Sequence, residues 1–177
     1  PVDFATGEWG PVAWARASHD AYGRHGVPRV TRWIASVANR GPWLCVDRAA
    51  PHGSHQFTER LHPHPNVFTE LVSPNLVRLR CGDRTLWLTL LEPLNRSRIT
   101  RGWYCPRFGS SIGNSVVEWT VAGSGPTALG WAVWFSPTPG QAQVTQRGSE
   151  LQLNWQHERQ KHSYTVFPTS ALGETER

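Results

Sequence analysis

The 177-residue sequence contains no methionine, only one lysine (Lys161) and three cysteines, Cys45, Cys81 and Cys105, none in a Cys-x-x-Cys pair. The missing initiator makes a piece cut from a longer product the simplest expectation. An odd cysteine count without paired spacing argues against a zinc ribbon or a disulfide framework, so at most one bridge is expected. No apolar run approaches the ~20 residues of a membrane-spanning helix, so no membrane span is expected. No basic, apolar signal segment opens the chain. Charged residues are 18% of the total, and a disordered chain would show more charge and fewer aromatics.

What is abundant points elsewhere. There are ten tryptophans, sixteen glycines and fourteen prolines. At this length roughly two-thirds of the unfolded surface can be buried, so one domain with its own core is expected. The net charge of +5 comes almost entirely from arginine. Guanidinium forks suit carboxylates, sulfates and phosphates, although such a balance also serves solubility alone.

The chain reads as short strands. Segments 12–17, 30–35, 43–48, 55–61, 67–72, 76–81, 85–91, 115–122, 128–135, 150–155 and 163–167 are rich in β-branched or aromatic residues and often alternate in polarity. Leu86, Leu88 and Leu90 share one face of their segment, while Trp87, Thr89 and Leu91 share the other. Turn clusters such as Gly41-Pro42, Ser73-Pro74-Asn75, Cys81-Gly82-Asp83 and Gly123-Ser124-Gly125-Pro126 separate the runs. No segment holds a 3.6-residue period over three turns. The expected fold is all-β: one antiparallel β-sandwich of roughly a dozen strands over residues 1–168, two sheets face to face, with a polar frayed tail at 169–177. Trp33, Trp43, Trp87, Trp119, Trp131, Trp134 and Trp155 are expected to fill the space between the sheets.

Three polar constellations stand out. Ser18 to His25 packs His19, Asp20, Tyr22, Arg24 and His25 into eight residues. In an extended stretch His19 and Ala21 would share one face, and Asp20 and Tyr22 the other. Histidine and tyrosine can take a proton alpha to a carboxylate and return one to a leaving oxygen. The plainer account is a strand end where Asp20 and Tyr22 bond locally. His52, His55, His62 and His64 form the second group, but their spacing matches no familiar zinc site, so no metal and no cofactor is expected. The third is Arg96, Arg98 and Arg101 with Trp103, Tyr104, Pro106, Arg107 and Phe108. Arginines interleaved with aromatics can hold a sugar acid or a nucleic-acid strand, or simply lie over tryptophan faces at a sheet edge. Gly123-Ser124-Gly125 runs into Pro126 without a lysine and is no phosphate loop, Ser110 and Ser111 lack a Gly-x-Ser-x-Gly context, and no His-Glu-x-x-His occurs.

The order of the pieces resembles the C-terminal part of the heparinase II/III-like polysaccharide lyase family. The pieces are His19-Asp20-Ala21-Tyr22, with Ala21 where glycine is common, then Arg29–Ile34, Val46-Asp47-Arg48, Gly53-Ser54-His55 and Leu61-His62-Pro63. Further on, Gly102 to Gly109 looks like the family's Ser-Pro-Arg-Tyr-Gly-type step, followed by a strand with Ser115, Val117 and Trp119. The resemblance spans about residues 12–136. It implies an antiparallel β-sandwich that follows an α/α toroid in the parent protein, and β-elimination on uronate-containing, anionic polysaccharide. In that chemistry a base removes the C5 proton and an acid protonates the leaving glycosidic oxygen. The family's Gly-His-x-His-x-Asp and Ala-His-Asn steps do not occur here. Catalytic residues are therefore expected outside this chain, and none is assigned within it. His19, Tyr22, Arg24, Arg101, Trp103, Tyr104 and Arg107 are the expected substrate-cleft residues. The expected partners are an anionic polysaccharide and the upstream toroid, not nucleic acid, and the resemblance favours a location outside the cytoplasm. A free-standing carbohydrate-binding sandwich is the alternative.

Overall fold

The computed structural model describes residues 3–38, 41–91, 94–147, 150–157 and 160–166. Among them the chain forms fourteen strands: β1 (Asp3–Trp9), β2 (Val12–His19), β3 (Val30–Val37), β4 (Trp43–Ala49), β5 (His55–Leu61), β6 (Phe68–Ser73), β7 (Leu76–Cys81), β8 (Arg84–Leu90), β9 (Arg96–Arg107), β10 (Ser110–Gly123), β11 (Thr127–Trp134), β12 (Gln141–Arg147), β13 (Glu150–His157) and β14 (Gln160–Val166). A single 3-10 turn, Gly23–His25, is the other regular element. The expected tail at 169–177 lies outside the described residues, and no helix among those described is long and apolar enough to cross a membrane. The all-β sandwich expected from the alternation is what forms.

Eight strands make one antiparallel sheet in the order β1-β2-β3-β4-β11-β8-β7-β6. Two three-stranded sheets, β5-β10-β9 and β12-β13-β14, complete the fold. Residues along β11 show how the layers stack. Ala132 and Trp134 join a core with Trp33, Leu44, Val46, Leu91 and Trp155 of β13. The alternate residues Trp131 and Val133 pack on a second core of Val77, Leu79, Leu88 and Leu90 with Val117 and Trp119 of β10. The large sheet is therefore the middle of three layers, with a small sheet on each face. This is the difference from the two layers expected. It explains β8, whose leucine face and tryptophan-threonine face are both covered: a strand buried on both sides reads as apolar throughout.

Trp33, Trp119, Trp134 and Trp155 are core residues, as expected. Trp43 is not: it is 52% exposed. Its side lies on the part of the large sheet that the β5-β10-β9 layer does not cover, together with Ile34 and Phe4, which are also exposed. Three strands were not apparent in the sequence. β1 is interrupted by Gly7, but a Cβ there would lie 2.7 Å from the Trp14 ring, so the glycine lets an indole lie flat across the strand pair. β9 and β12 are rich in arginine and glutamine, and the ladder rather than side-chain propensity holds them.

Candidate functional site

The small β5-β10-β9 sheet ends over β4, and the step between β5 and the uncovered face of β2 and β3 forms a cleft of about 760 Å³. One wall is the turn after β2. The strand stops at His19, and the backbone then closes a turn through Gly23 N–H to Asp20 O (2.9 Å) and Val27 N–H to Tyr22 O (3.2 Å). The stretch is not extended. The turn folds Tyr22 back so that its ring meets His19 edge-on at 5.4 Å, placing on one wall two residues that an extended chain would separate. Gly26 ends the turn with φ +80°. Its carbonyl accepts the His52 N–H at 2.7 Å, and a Cβ would stand 3.3 Å from both His52 O and His55 Nε2. Only glycine allows this close approach, which seats the His52–His55 turn against the first wall. The opposite wall carries His55 and Phe57, whose rings are 6.2 Å apart.

The floor is a charged cluster between the sheets. Arg32 of β3 grips Asp47 of β4 with two hydrogen bonds, Nε to Oδ1 at 2.7 Å and Nη2 to Oδ2 at 2.6 Å. The two residues face each other in the β3–β4 register, which brings them within reach. Glu59 of β5 comes from the layer above, with Oε1 3.5 Å from Arg32 Nη2 and Oε2 buried without a hydrogen-bond partner. Burial, and secondarily the negative charge of Asp47, push the Glu59 carboxyl up to about 8, while Arg32 pulls the other way. At neutral pH the cluster is thus a balanced Arg32–Asp47 pair beside an uncharged carboxylic acid. The hydrogen bond to Asp47 raises Arg32 further above its already high value, so that guanidinium stays charged. Cys45, buried two residues before Asp47 on β4, is pushed up to about 12 by burial and stays a thiol.

Arg24 is exposed and donates from Nε to His25 Nε2 at 3.2 Å. The remaining expected residues lie elsewhere. Arg101, Trp103, Tyr104 and Arg107 sit on the far arm of the β9–β10 hairpin. Arg101 lies over the Trp103 ring at 5.5 Å, and Tyr104 meets His64 edge-on at 4.9 Å. No carboxylate occurs from Ile99 to Val117. Phe108 at the hairpin tip is fully exposed. In β10, Gly123 pairs with His55 and Ser115 with Arg101, so the two groups are eight residues apart along one strand, ~27 Å at 3.4 Å per residue. The seven residues therefore form two surfaces at opposite ends of the small sheet. Between them Glu118 takes Arg60 Nε on Oε2 (2.8 Å) and Arg98 Nε on Oε1 (2.7 Å), and these bonds, that from Arg98 first, hold its carboxyl below the usual range. The histidines 52, 55, 62 and 64 are dispersed, and among the described residues no three His, Cys, Asp or Glu side chains converge as a metal site.

The sequence profile of the family described as "Heparinase II/III-like, C-terminal" matches residues 5–132. The chain belongs to the heparinase II/III-like family. Its fold is similar to that of heparan sulfate lyase HepC from Pedobacter heparinus, with a TM-score of 0.73 and 10% identity, over 92% of this chain and 28% of that one. It is also similar to a heparinase III gene product, with a TM-score of 0.69 and 12% identity, over 93% and 28%. The chain thus spans little more than a quarter of either lyase. No match is found among curated protein sequences. The family match covers the whole first cleft and the hairpin, and ends before β12.

Arg32 and Glu59 were not singled out in the sequence, and Asp47 entered only through the Val46-Asp47-Arg48 piece of the resemblance, with no role in a cleft. A signal for Glu59 was present: in His55–Leu61 it shares a face with Phe57 and Leu61, and a carboxylate on an apolar face is a buried one.

Proposed function

We propose that this chain is the β-sandwich part of a polysaccharide lyase that cleaves uronate-containing, anionic polysaccharide by β-elimination, and that the bond-breaking residues belong to the remainder of the parent protein. The observation that carries this reading is the heparinase II/III-like match over residues 5–132. The sequence lacks the two histidine steps that the family resemblance associates with catalysis, which supports a supporting role for this chain. His19 and Tyr22 at the cleft, and Arg101, Trp103, Tyr104 and Arg107 on the hairpin, supply what an acidic glycan needs: guanidinium forks for carboxylate or sulfate and aromatic faces for the ring. Arg24 adds a cation beside the cleft.

The test has two arms. Incubation of this chain with heparan sulfate or alginate should yield no new double bond by ultraviolet absorbance, while a parent protein containing the toroid should yield one. Turnover by the isolated chain would refute the division of labour. In calorimetry on the chain with the same polysaccharides, Arg107→Ala should weaken binding by ~1–3 kcal/mol, the scale of a charged hydrogen bond. An unchanged affinity with an intact fold removes the hairpin from the binding surface.

A further inference from the structure

A second cleft, of about 820 Å³, lies on the opposite face of the large sheet, between the β12-β13-β14 layer and the β6–β7 turn. Its β12–β14 wall lies beyond the residues of the family match, while the facing Ser73, Asn75, Leu76 and Thr89 lie within them. Its chemistry differs from that of the first cleft. Among the described residues no aspartate or glutamate lines it, and the cation at its edge, Lys161, is the one lysine of the chain.

The strand register builds the polar wall. Gln141, Gln156 and Lys161 form one row across β12, β13 and β14, and Gln143, Asn154 and Ser163 form the next. Rows of this kind repeat across strands at ~4.8 Å and along them at every second residue. The side chains are held in a fixed sense. Gln152 Nε2 donates to Ser163 Oγ at 2.9 Å, and Ser163 Oγ donates to Asn154 Oδ1 at 2.7 Å. With Oδ1 engaged, Asn154 offers its amide N–H groups. The facing wall repeats the arrangement: Ser73 Oγ donates to Asn75 Oδ1 at 3.0 Å, so Asn75 also offers N–H groups. Trp155, 6% exposed and packed on Trp134 at 5.7 Å, anchors β13 to the core from the face opposite the polar rows, which holds those rows in place. Two oriented amides and an ammonium in a groove whose described lining holds no carboxylate make a donor-rich surface, complementary to a chain bearing hydroxyl and carboxylate oxygens.

We infer that this cleft is a separate binding site for an acidic oligosaccharide, independent of the His19–Tyr22 cleft and of the hairpin. The inference rests on the polysaccharide reading above only for the choice of probe. The test is a titration of the isotopically labelled 177-residue chain with a heparan sulfate hexasaccharide, followed by amide chemical shifts, with maltohexaose as the neutral control. Shifts are expected at Gln143, Asn154, Gln156 and Lys161. Lys161→Gln and Asn154→Leu should each weaken the affinity read at those amides by roughly ten- to a hundredfold, and maltohexaose should bind at least tenfold more weakly. Shifts confined to His19, Tyr22 and residues 101–107 would overturn the inference while leaving the lyase reading in place. Shifts confined to β12–β14 would support it and count against the first cleft. Equal binding of the neutral and acidic hexasaccharides, or unchanged affinity in both variants, would overturn it.

Discussion

Glu59 offers a quantitative test of the layer contact that floors the first cleft. In the unfolded chain this carboxyl titrates near its ordinary value of 4.5, and in the folded protein burial raises it to about 8. Between those values the native state holds one proton that the unfolded state has released. Stability therefore falls as pH rises, by ~1.4 kcal/mol per unit. The contribution is fully present below pH 4.5 and lost progressively as pH approaches 8. Replacing Glu59 by glutamine keeps the shape and removes the titration. Between pH 5 and pH 7.5 the stability of Glu59→Gln relative to the parent should rise by roughly 3 kcal/mol. Urea unfolding followed by tryptophan fluorescence at half-unit pH intervals measures this difference directly. Two denaturation curves that stay parallel from pH 5 to pH 8 would refute the reasoning. A companion variant identifies the cause. Asp47→Asn removes the charge that opposes ionisation of Glu59 and frees Arg32 to pair with it, so in that background the slope should end at lower pH.

Other consequences are simpler to read. Trp119 has no exposed surface and sits between Val117, Leu88 and the β7 valine, so Trp119→Ala should cost ~3–5 kcal/mol in chemical denaturation; a variant as stable as the parent would place this indole outside the core. Gly26→Ala forces a Cβ onto a left-handed residue 3.3 Å from His52 O and should destabilise by ~1–2 kcal/mol; equal melting temperatures would show that the turn adjusts freely. Cys81 and Cys105 are exposed, whereas Cys45 is buried and its thiol is pushed up to about 12. Under reducing-agent-free conditions a thiol reagent should therefore find two fast equivalents, with the third appearing only in denaturant, and three fast equivalents would contradict the burial of Cys45.

The sandwich was legible because the pattern that specifies it is local. Leu76–Cys81 alternates Val77 and Leu79 with Arg78 and Arg80, and the structure buries the first pair and pairs Arg78 with Glu70 across the ladder. The third layer was not legible for a physical reason. β12 contributes few apolar side chains to its core: Ala142 packs on the buried cluster, while Gln141 and Gln143 face the polar cleft. Its place is set by pairing with β13 and by Trp155 inserting against Trp134, neither of which a composition can reveal. Trp43 was misplaced because exposure depends on where a covering sheet stops, a property of another part of the chain.

The cleft was harder to read for a related reason. His19 and Tyr22 are close in sequence, and their proximity in space could be anticipated, although it comes from a turn rather than an extended face. Arg32, Asp47 and Glu59 lie on three strands, and what unites them is the register of β3 on β4 and the seating of β5 over both. That geometry has a consequence for the way the domain binds. Arg32 neutralises Asp47 and Glu59 stays protonated, so two carboxyls at the cleft floor add no net negative charge at neutral pH. An acidic glycan can therefore approach a cleft whose sequence contains Asp47 and Glu59, and its affinity should weaken as Glu59 ionises toward pH 8. The arginine-aromatic hairpin ~27 Å away carries no such carboxylate, and its affinity should be insensitive over the same range. The pH dependence of binding thus tests the first cleft: an affinity unaffected between pH 6 and pH 8.5 excludes it and leaves the hairpin or the β12–β14 cleft, and a fall through that interval that Glu59→Gln abolishes, with His19, His25 and His55 still in place, assigns the glycan to the first cleft.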